Sequence, residues 1–368
     1  MINSLRLVNF KTFENQLLDF KPLTLLSGVN STGKSSVLQS LLLLRQSYQQ
    51  ELLPKEGLAL NGELIRIGTA QDAFCERAKD DYIRFELTWK DSCKGIWNFK
   101  YDLDKKETDV LDVVSEELDC EVYSSSLFSK QFHYLHAERI GPRPFNEMSD
   151  YQVRRLGQIG IKGEYTAHYL AVHERKAIPI PGLSYPQAKS MDLIDQVEAW
   201  MKEVSPGTRI KINSNPGMDL MSLQYFFGDS NPYRATNVGF GISYTLPIIV
   251  AVLASKPDTL ILIENPEAHL HPKGQAKMGE LLALAANSGV QVVIETHSDH
   301  VLNGIRLAVN RSQLDPENVQ LHYFQRQEIE GRLALTEVVS PNIDRNGRID
   351  EWPDGFFDQI EKDLMELI

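Results

Sequence analysis

Gly28-Val29-Asn30-Ser31-Thr32-Gly33-Lys34-Ser35 fits the spacing G-x-x-x-x-G-K-[ST] of a phosphate-binding loop. Its flanks fit as well. Leu23-Thr24-Leu25-Leu26 ahead of it is a short apolar run of the kind a buried parallel strand makes. Behind it, Ser36-Val37-Leu38-Gln39-Ser40-Leu41-Leu42-Leu43-Leu44 predicts a helix with its apolar side turned inward. Strand, loop and helix in that order aim backbone N–H groups and the positive helix end at one point, where a triphosphate can sit. The expected nucleotide contacts are Gly28, Asn30, Ser31, Thr32, Gly33, Lys34, Ser35 and Ser36. Gly28 and Gly33 allow a turn that a Cβ would obstruct. Lys34 neutralises the β- and γ-phosphates, and the Ser35 hydroxyl ligates Mg²⁺.

Composition limits what such a chain does. With 368 residues, 42% of them hydrophobic, it has enough apolar material for one large domain or two. The formal charge of −12 argues against a protein that grips nucleic acid over its whole surface, so any DNA contact is expected from a local basic patch. Acidic residues concentrate between Asp102 and Asp119 and in the tail from Asp350 to Glu366, both expected as solvated faces. Three cysteines (Cys75, Cys93 and Cys120) with no C-x-x-C spacing argue against a disulfide framework and suit a reducing compartment. The start Met1-Ile2-Asn3-Ser4-Leu5-Arg6 lacks the basic and apolar runs of a secretion signal. The longest apolar window, Tyr244 to Ala254, falls short of the ~20 residues that span a bilayer. A cytoplasmic protein without membrane contact is expected.

In chain order, Leu5 to Phe13 and Leu17 to Phe20 predict a hairpin leading into the loop strand. Phe10, Phe13 and Phe20 are expected as packing residues rather than adenine-stacking ones. Leu58 to Gly68, Tyr82 to Trp89 and Ile96 to Tyr101 predict antiparallel strands, with Gln71 between the first two as a candidate sensor of Mg²⁺ and the γ-phosphate, and Phe132 to Leu135 predicts another strand. From Pro144 to about Ala235 the character changes. Helical stretches at Tyr165 to Arg175 and Met191 to Val204 flank a proline-rich hinge at Ile178-Pro179-Ile180-Pro181-Gly182. A mostly helical inserted lobe is the expectation, with no heptad run for coiled-coil arms.

A second apolar strand, Thr259-Leu260-Ile261-Leu262-Ile263, ends in Glu264, the carboxylate expected on the Mg²⁺ side. His269 and His271 follow within a turn. Spaced i and i+2 without a further ligand, they make poor zinc geometry and read better as an interface loop. A third strand, Gln291 to Glu295, runs into Thr296-His297-Ser298, where His297 is placed to meet a γ-phosphate. Asn237-Val238-Gly239-Phe240-Gly241-Ile242-Ser243 opens the apolar helix and makes a second anion-binding start. One triphosphate does not need two such sites from one chain, so Asn237, Gly239, Gly241 and Ser243 are expected to cap a nucleotide held by a second subunit.

Taken together, Asn9-Phe10-Lys11, the loop at Gly239 to Ser243, the run Glu264-Asn265-Pro266-Glu267-Ala268-His269-Leu270-His271-Pro272 and His297 resemble an ABC-type ATPase. The branch it resembles includes RecF, the structural-maintenance-of-chromosomes heads and the overcoming-lysogenization-defect nucleases. More narrowly, Ala137 to Arg143, Gly163 to Ala167, Glu295 to His300 and Trp352 to Gln359 are similar to bacterial AAA-family ATPases that carry a C-terminal domain of unknown function. Some of that group, such as the Septu ATPase, serve anti-phage defence beside a separate effector. The resemblance implies an α/β P-loop NTPase of ABC-ATPase head type, a mixed sheet with the inserted helical lobe. It implies ATP and Mg²⁺ as ligands, and a homodimer or higher oligomer that sandwiches ATP between subunits.

The resemblance has one departure. The family ends its second strand in Asp-Glu, where this chain has Glu264-Asn265. An amide cannot act as general base, so water activation passes to Glu267 or Glu264, or hydrolysis is slow. The expected division is 1–143 and 236–325 as the two parts of the ATPase domain, 144–235 as the lobe and 326–368 as an appendage. The expected function is an ATP-driven dimeric switch, the sensor or regulator of a defence complex with a separate effector such as a nuclease. The rival is a DNA-binding repair or chromosome-maintenance factor, with Arg139, Arg143, Arg154 and Arg155 as its basic patch. An ordinary GTPase or small-molecule kinase fits less well, because no N-K-x-D motif is present.

Overall fold

The computed structural model describes residues 1–53, 55–119, 121–327 and 335–367. Two compact units emerge, one of residues 1–129, 320–342 and 351–368, the other of 130–319 and 343–350. This grouping by compactness cuts across the four segments expected from motif order.

The first unit is built on alternation. Along Tyr82–Trp89 every second side chain is buried, with Ile83, Phe85 and Leu87 fully so, which is what one covered sheet face requires. That strand lies inside a six-stranded antiparallel sheet in the order Phe13–Asp19, Ile2–Phe10, Tyr82–Trp89, Lys94–Lys100, Val110–Leu118, Gly57–Ala59. The expected hairpin closes at the Phe10–Phe13 pair. Phe10, Phe13 and Phe20 are 0–3% exposed, and Phe10 meets Phe85 edge-on at 5.0 Å, so all three pack the core. The expected strand at Leu58 to Gly68 shortens to Gly57–Ala59. Within the acidic run, Val110–Leu118 is a strand in which Asp112 and Glu117 are exposed, while half-buried Glu116 accepts from Trp97 Nε1 at 2.8 Å and from the Tyr123 hydroxyl. Among the described cysteines, Cys75 is free and buried, whereas Cys93 is disulfide-bonded, although the sequence argues against a disulfide framework.

The loop strand Leu23–Gly28 is hydrogen-bonded beside Val319–Gln327, which pairs in turn with Leu335–Val339. Helix Lys34–Gln49 is buried on nearly every side rather than along one stripe. Its polar residues act as ties. Arg45 Nη1 donates to the carbonyls of Leu127 and Ser129 at 2.5 and 2.9 Å, and burial brings its guanidinium pKa down to about 9. Gln46 and Ser47 hold the backbone of Ala59 at 2.8 Å each.

The second unit has a parallel core. Leu260–Glu264 lies between Phe132–Leu135 and Gln291–Glu295, with Leu262 opposite Tyr134 and Glu264 opposite Glu295. Helices Phe240–Ala254, Pro272–Asn287 and Asp299–Asn310 accompany it. The apolar window at Tyr244 to Ala254 is a buried helix, as expected. No helix among the described residues is long and apolar enough to cross a membrane. The segment 144–235 holds the expected helices, Thr166–His173 and Leu193–Val204. It also holds an antiparallel sheet of Thr208–Asn215, Leu220–Phe227 and Tyr233–Arg234, joined at one edge by Asn146–Glu147.

Candidate functional site

In the first unit, the phosphate-binding loop is shaped by positive φ at Gly28 (139°), Ser31 (64°) and Gly33 (99°). A methyl group on Gly28 would be driven into the backbone of Phe324, and one on Gly33 into the Thr12 hydroxyl and the Phe13 ring. Both positions therefore need glycine for conformation and for room. Lys34 Nζ donates to the carbonyls of Gly28 and Val29 at 3.0 and 2.8 Å, so its ammonium lies within the curl of the loop. Thr32 Oγ1 braces the same turn by donating to Val29 O at 2.7 Å. Asn30 and Ser31 are exposed at the tip, while Thr32, Lys34 and Ser36 are buried. A tight curl with glycine at both ends, an inward ammonium, the amides of a helix start and the Ser35 hydroxyl make a set of groups that fits a triphosphate with its Mg²⁺.

Next to the loop, Lys11 Nζ donates to Gln39 Oε1 at 2.6 Å, and burial lowers its pKa despite the nearby Asp72 carboxylate. Gln71 is exposed on the short helix Ala70–Ala73.

The second unit gathers the expected carboxylates at the ends of its parallel strands. Glu264 Oε1 accepts from the Tyr134 hydroxyl at 2.8 Å, and Oε2 accepts from Ala137 N at 3.1 Å with His136 Nε2 at 3.9 Å. Burial, together with this carboxylate, pushes the Tyr134 phenol far above its ordinary range, so it stays a proton donor. Glu267 is held differently. Its Oε2 accepts from Thr296 Oγ1 at 2.7 Å and its Oε1 from His297 N at 2.9 Å, which ties the turn after Glu264 to the end of the third strand. The His297 side chain is exposed. Asn265, with φ of 44°, bends the chain here while its N–H donates to Glu295 O at 2.8 Å.

Arg139 clamps this corner. Its Nη1 donates to His136 O and Glu264 O at 3.0 and 2.7 Å, and Nη2 to Asn265 O at 2.6 Å. Burial lowers its pKa to about 10, opposed by Glu267, Tyr244 and Glu264, so it remains a cation at neutral pH. At 2% exposure Arg139 does not belong to a DNA-facing patch with Arg143, Arg154 and Arg155, all exposed. Charged hydrogen bonds contribute about 1.5–3 kcal/mol each and are not additive, so Arg139→Leu is expected to cost ~3 kcal/mol or more. In a thermal melt that is a fall of roughly 5 °C or more. A melt indistinguishable from the parent would remove Arg139 from this role.

The loop that opens helix Phe240–Ala254 stands near the same turn. A Cβ on Gly241 would strike the carbonyl of His269, and the His269 ring packs on Phe240 and Tyr244 at 5.2 and 4.7 Å. His271 Nδ1 accepts from Lys273 N at 3.3 Å as the cap of helix Pro272–Asn287. Both histidines thus have packing and capping roles. Asn237 and Gly239 are exposed, whereas Ser243 is half-buried and hydrogen-bonds to the Tyr225 side chain.

Residues 1–138 match the model of an AAA ATPase domain, and residues 182–303 match that of an "AAA domain, putative AbiEii toxin, Type IV TA system". Residues 314–367 match a protein family of unknown function, DUF3696. The chain carries AAA-family ATPase domains. Its fold is that of a P-loop ATPase head. It is similar to a SmcHead solved with the C-winged helix domain of ScpA, at 13% identity and a TM-score of 0.55 over 93% of this chain and 98% of the other. It is also similar to an Smc head domain with an extended coiled coil bound to the C-terminal domain of ScpA, derived from Pyrococcus furiosus. That match has 11% identity and a TM-score of 0.51, over 100% of this chain and 99% of the other. No curated protein matches the chain.

Sequence reasoning found the loop and the strand-end carboxylates but missed the residues that hold them. From the sequence, Tyr134 is only part of a strand, and Arg139 belongs to the motif Ala137 to Arg143 and to a basic patch for DNA or a dimer contact. The local signal for Tyr134 is a hydroxyl-bearing residue in the short strand Phe132-His133-Tyr134-Leu135, all four of whose residues are buried.

Proposed function

We propose that this chain is an ATP-binding and ATP-hydrolysing switch that works as a dimer, the regulatory ATPase of a bacterial anti-phage defence complex whose effector, such as a nuclease, is a separate protein. The observation that carries the reading is the loop itself, with Lys34 Nζ inside a curl whose ends at Gly28 and Gly33 have no room for a side chain. Lys34 and the amides from Asn30 to Ser36 bind the phosphates. Ser35 and Glu264 would hold Mg²⁺, which would supply charge neutralisation to the phosphates. Glu267 takes the proton of the attacking water, and His297 holds the γ-phosphate. Asn237, Gly239, Gly241 and Ser243 of a second copy cap the nucleotide. For Ser243 this means giving up its bond to Tyr225.

Turnover needs the Mg²⁺-side carboxylate in a fixed orientation, and Tyr134 fixes Glu264. One charge-assisted hydrogen bond at about 1.5 kcal/mol corresponds to ~10-fold in rate. Tyr134→Phe is therefore expected to lower kcat about 10-fold with little change in KM. An unchanged kcat would release Glu264 from any part in turnover.

The SMC heads of similar fold are solved with a separate ScpA domain attached, which supports a head that signals through a partner. A pull-down from cells expressing the native operon, with and without ATP, tests the partner. A co-purifying effector whose amount changes with ATP is expected, and capture of none in either condition would count against the switch reading. The exposed remainder of the arginine patch does not favour DNA repair, since Arg139 is withdrawn into the carboxylate corner.

A further inference from the structure

The second unit contains a cavity of about 380 Å³ that the proposed ATPase cycle does not use. Five cationic side chains line it: Lys130, Arg154, Arg155, Lys176 and Lys256, with no Asp or Glu among the lining residues. In a chain of net charge −12 this is an inversion of the general balance, and it is confined to one hollow. Arg154 spends its charge on Asp150 at 2.9 Å. The other four have no ion pair among the described residues. Like charges left together around a concavity repel one another and raise the local potential. An anion relieves that cost.

The cavity is also built, rather than being a gap between side chains. Its cations come from four separate places: the start of strand Phe132–Leu135, the turn Tyr151–Leu156, the stretch after helix Thr166–His173 and the end of helix Phe240–Ala254. Tyr151–Leu156 is a π-helical turn, a form that is rare and frequent at functional sites, and it closes at Gly157 with φ of 70°. Lys130 Nζ donates to Arg155 O at 2.8 Å, which locks the turn to the strand. One wall is apolar, with Leu156, Ile178, Pro179 and Leu193. On the side of helix Thr166–His173 stand the rings of Tyr169 and His173, 4.4 Å apart. His173 Nδ1 is buried and makes no hydrogen bond among the described residues. Burial first, then Lys176, Arg154 and His168, hold its pKa down at about 4, so its ring is neutral at pH 7 and can offer one donor and one acceptor.

We propose that this cavity is a second binding site, for a small organic phosphate of nucleoside-monophosphate size. The phosphate would meet Arg155, Lys176 and Lys256, and the planar part would lie against Tyr169, His173 and the apolar wall. Charge alone would suit any anion. The size of the hollow, the apolar wall and the unsatisfied ring nitrogen select a ligand with a body as well as a charge. A nucleic-acid strand, by contrast, needs an open basic track.

The test separates this site from the phosphate-binding loop by using full-length protein carrying Lys34→Ala. Isothermal titration calorimetry with AMP and, separately, with inorganic phosphate is expected to show AMP binding at least ~10-fold more tightly than phosphate. Adding Arg155→Glu and Lys256→Glu, both exposed positions whose reversal leaves the core untouched, is expected to weaken AMP by at least ~10-fold. Lys176→Gln, a milder change, is expected to weaken it by a smaller factor. Equal binding of AMP and phosphate would overturn the proposal, and so would AMP binding that ignores the charge reversals. A single-stranded oligonucleotide that binds more tightly than AMP and is lost on charge reversal would overturn it in favour of a nucleic-acid track. Because Lys34 is already removed, failure here leaves the ATPase reading intact.

Discussion

Lys34→Ala is expected to abolish nucleotide binding, with a loss of at least ~100-fold in ATP affinity. The lysine is the one cation that the loop encloses, held by the carbonyls of Gly28 and Val29 and shielded from solvent at 4% exposure. An ammonium so placed meets phosphate oxygens in an environment drier than water, where each charge-assisted contact is strong. Alanine removes the charge and leaves the loop backbone, whose conformation rests on glycines and on Thr32. The folded state should survive, so far-UV circular dichroism and thermal unfolding without nucleotide are expected to match the parent. Equilibrium titration with a fluorescent ATP analogue measures the affinity. Parent-like affinity in this variant would refute the assignment of the loop.

The second large effect is expected from Glu267→Gln. A general base contributes about 10²–10⁴-fold, so turnover should fall by at least ~100-fold while ATP affinity stays near the parent value. Glutamine is nearly isosteric and keeps one acceptor oxygen for Thr296 Oγ1 or His297 N, the two donors that hold Glu267. A stability effect should therefore be small. That matters, because a merely structural Glu267 would show the opposite pattern, a lower melting temperature with turnover intact. Turnover unchanged by the substitution would pass the role to Glu264, whose oxygens are bound by Tyr134 and Ala137 N.

How much of this was legible beforehand depends on the range of the interaction. The loop could be read because its determinants are consecutive: two glycines, a lysine and a serine between an apolar strand and an apolar helix. Strand-end Glu264 was legible for the same reason. The strand Val110–Leu118 was hidden because its carboxylates, expected only as a solvated face, dilute the alternation that marks a strand. The alternation Arg209-Ile210-Lys211-Ile212 did carry the signal for the sheet in the lobe, yet glycines, prolines and asparagines around it read more readily as loop. Tyr134 and Arg139 lie 130 and 125 residues from Glu264, and no local pattern encodes a partner at that distance. The same holds for Ser243, whose hydroxyl turns to Tyr225. Arg45 is the sharpest case: a charge in a helix that looked amphipathic is buried because two carbonyls wait for it.

The claim that joins these parts is that ATP binding brings two copies together, and mass in solution tests it most directly. The Glu267→Gln protein, which should hold ATP without consuming it, can be run by size-exclusion chromatography with light scattering in ATP and Mg²⁺, and again in ADP. A mass of twice 41.7 kDa with ATP and of 41.7 kDa with ADP is the expected result. A protein saturated with ATP that still runs at the mass of one chain would contradict it.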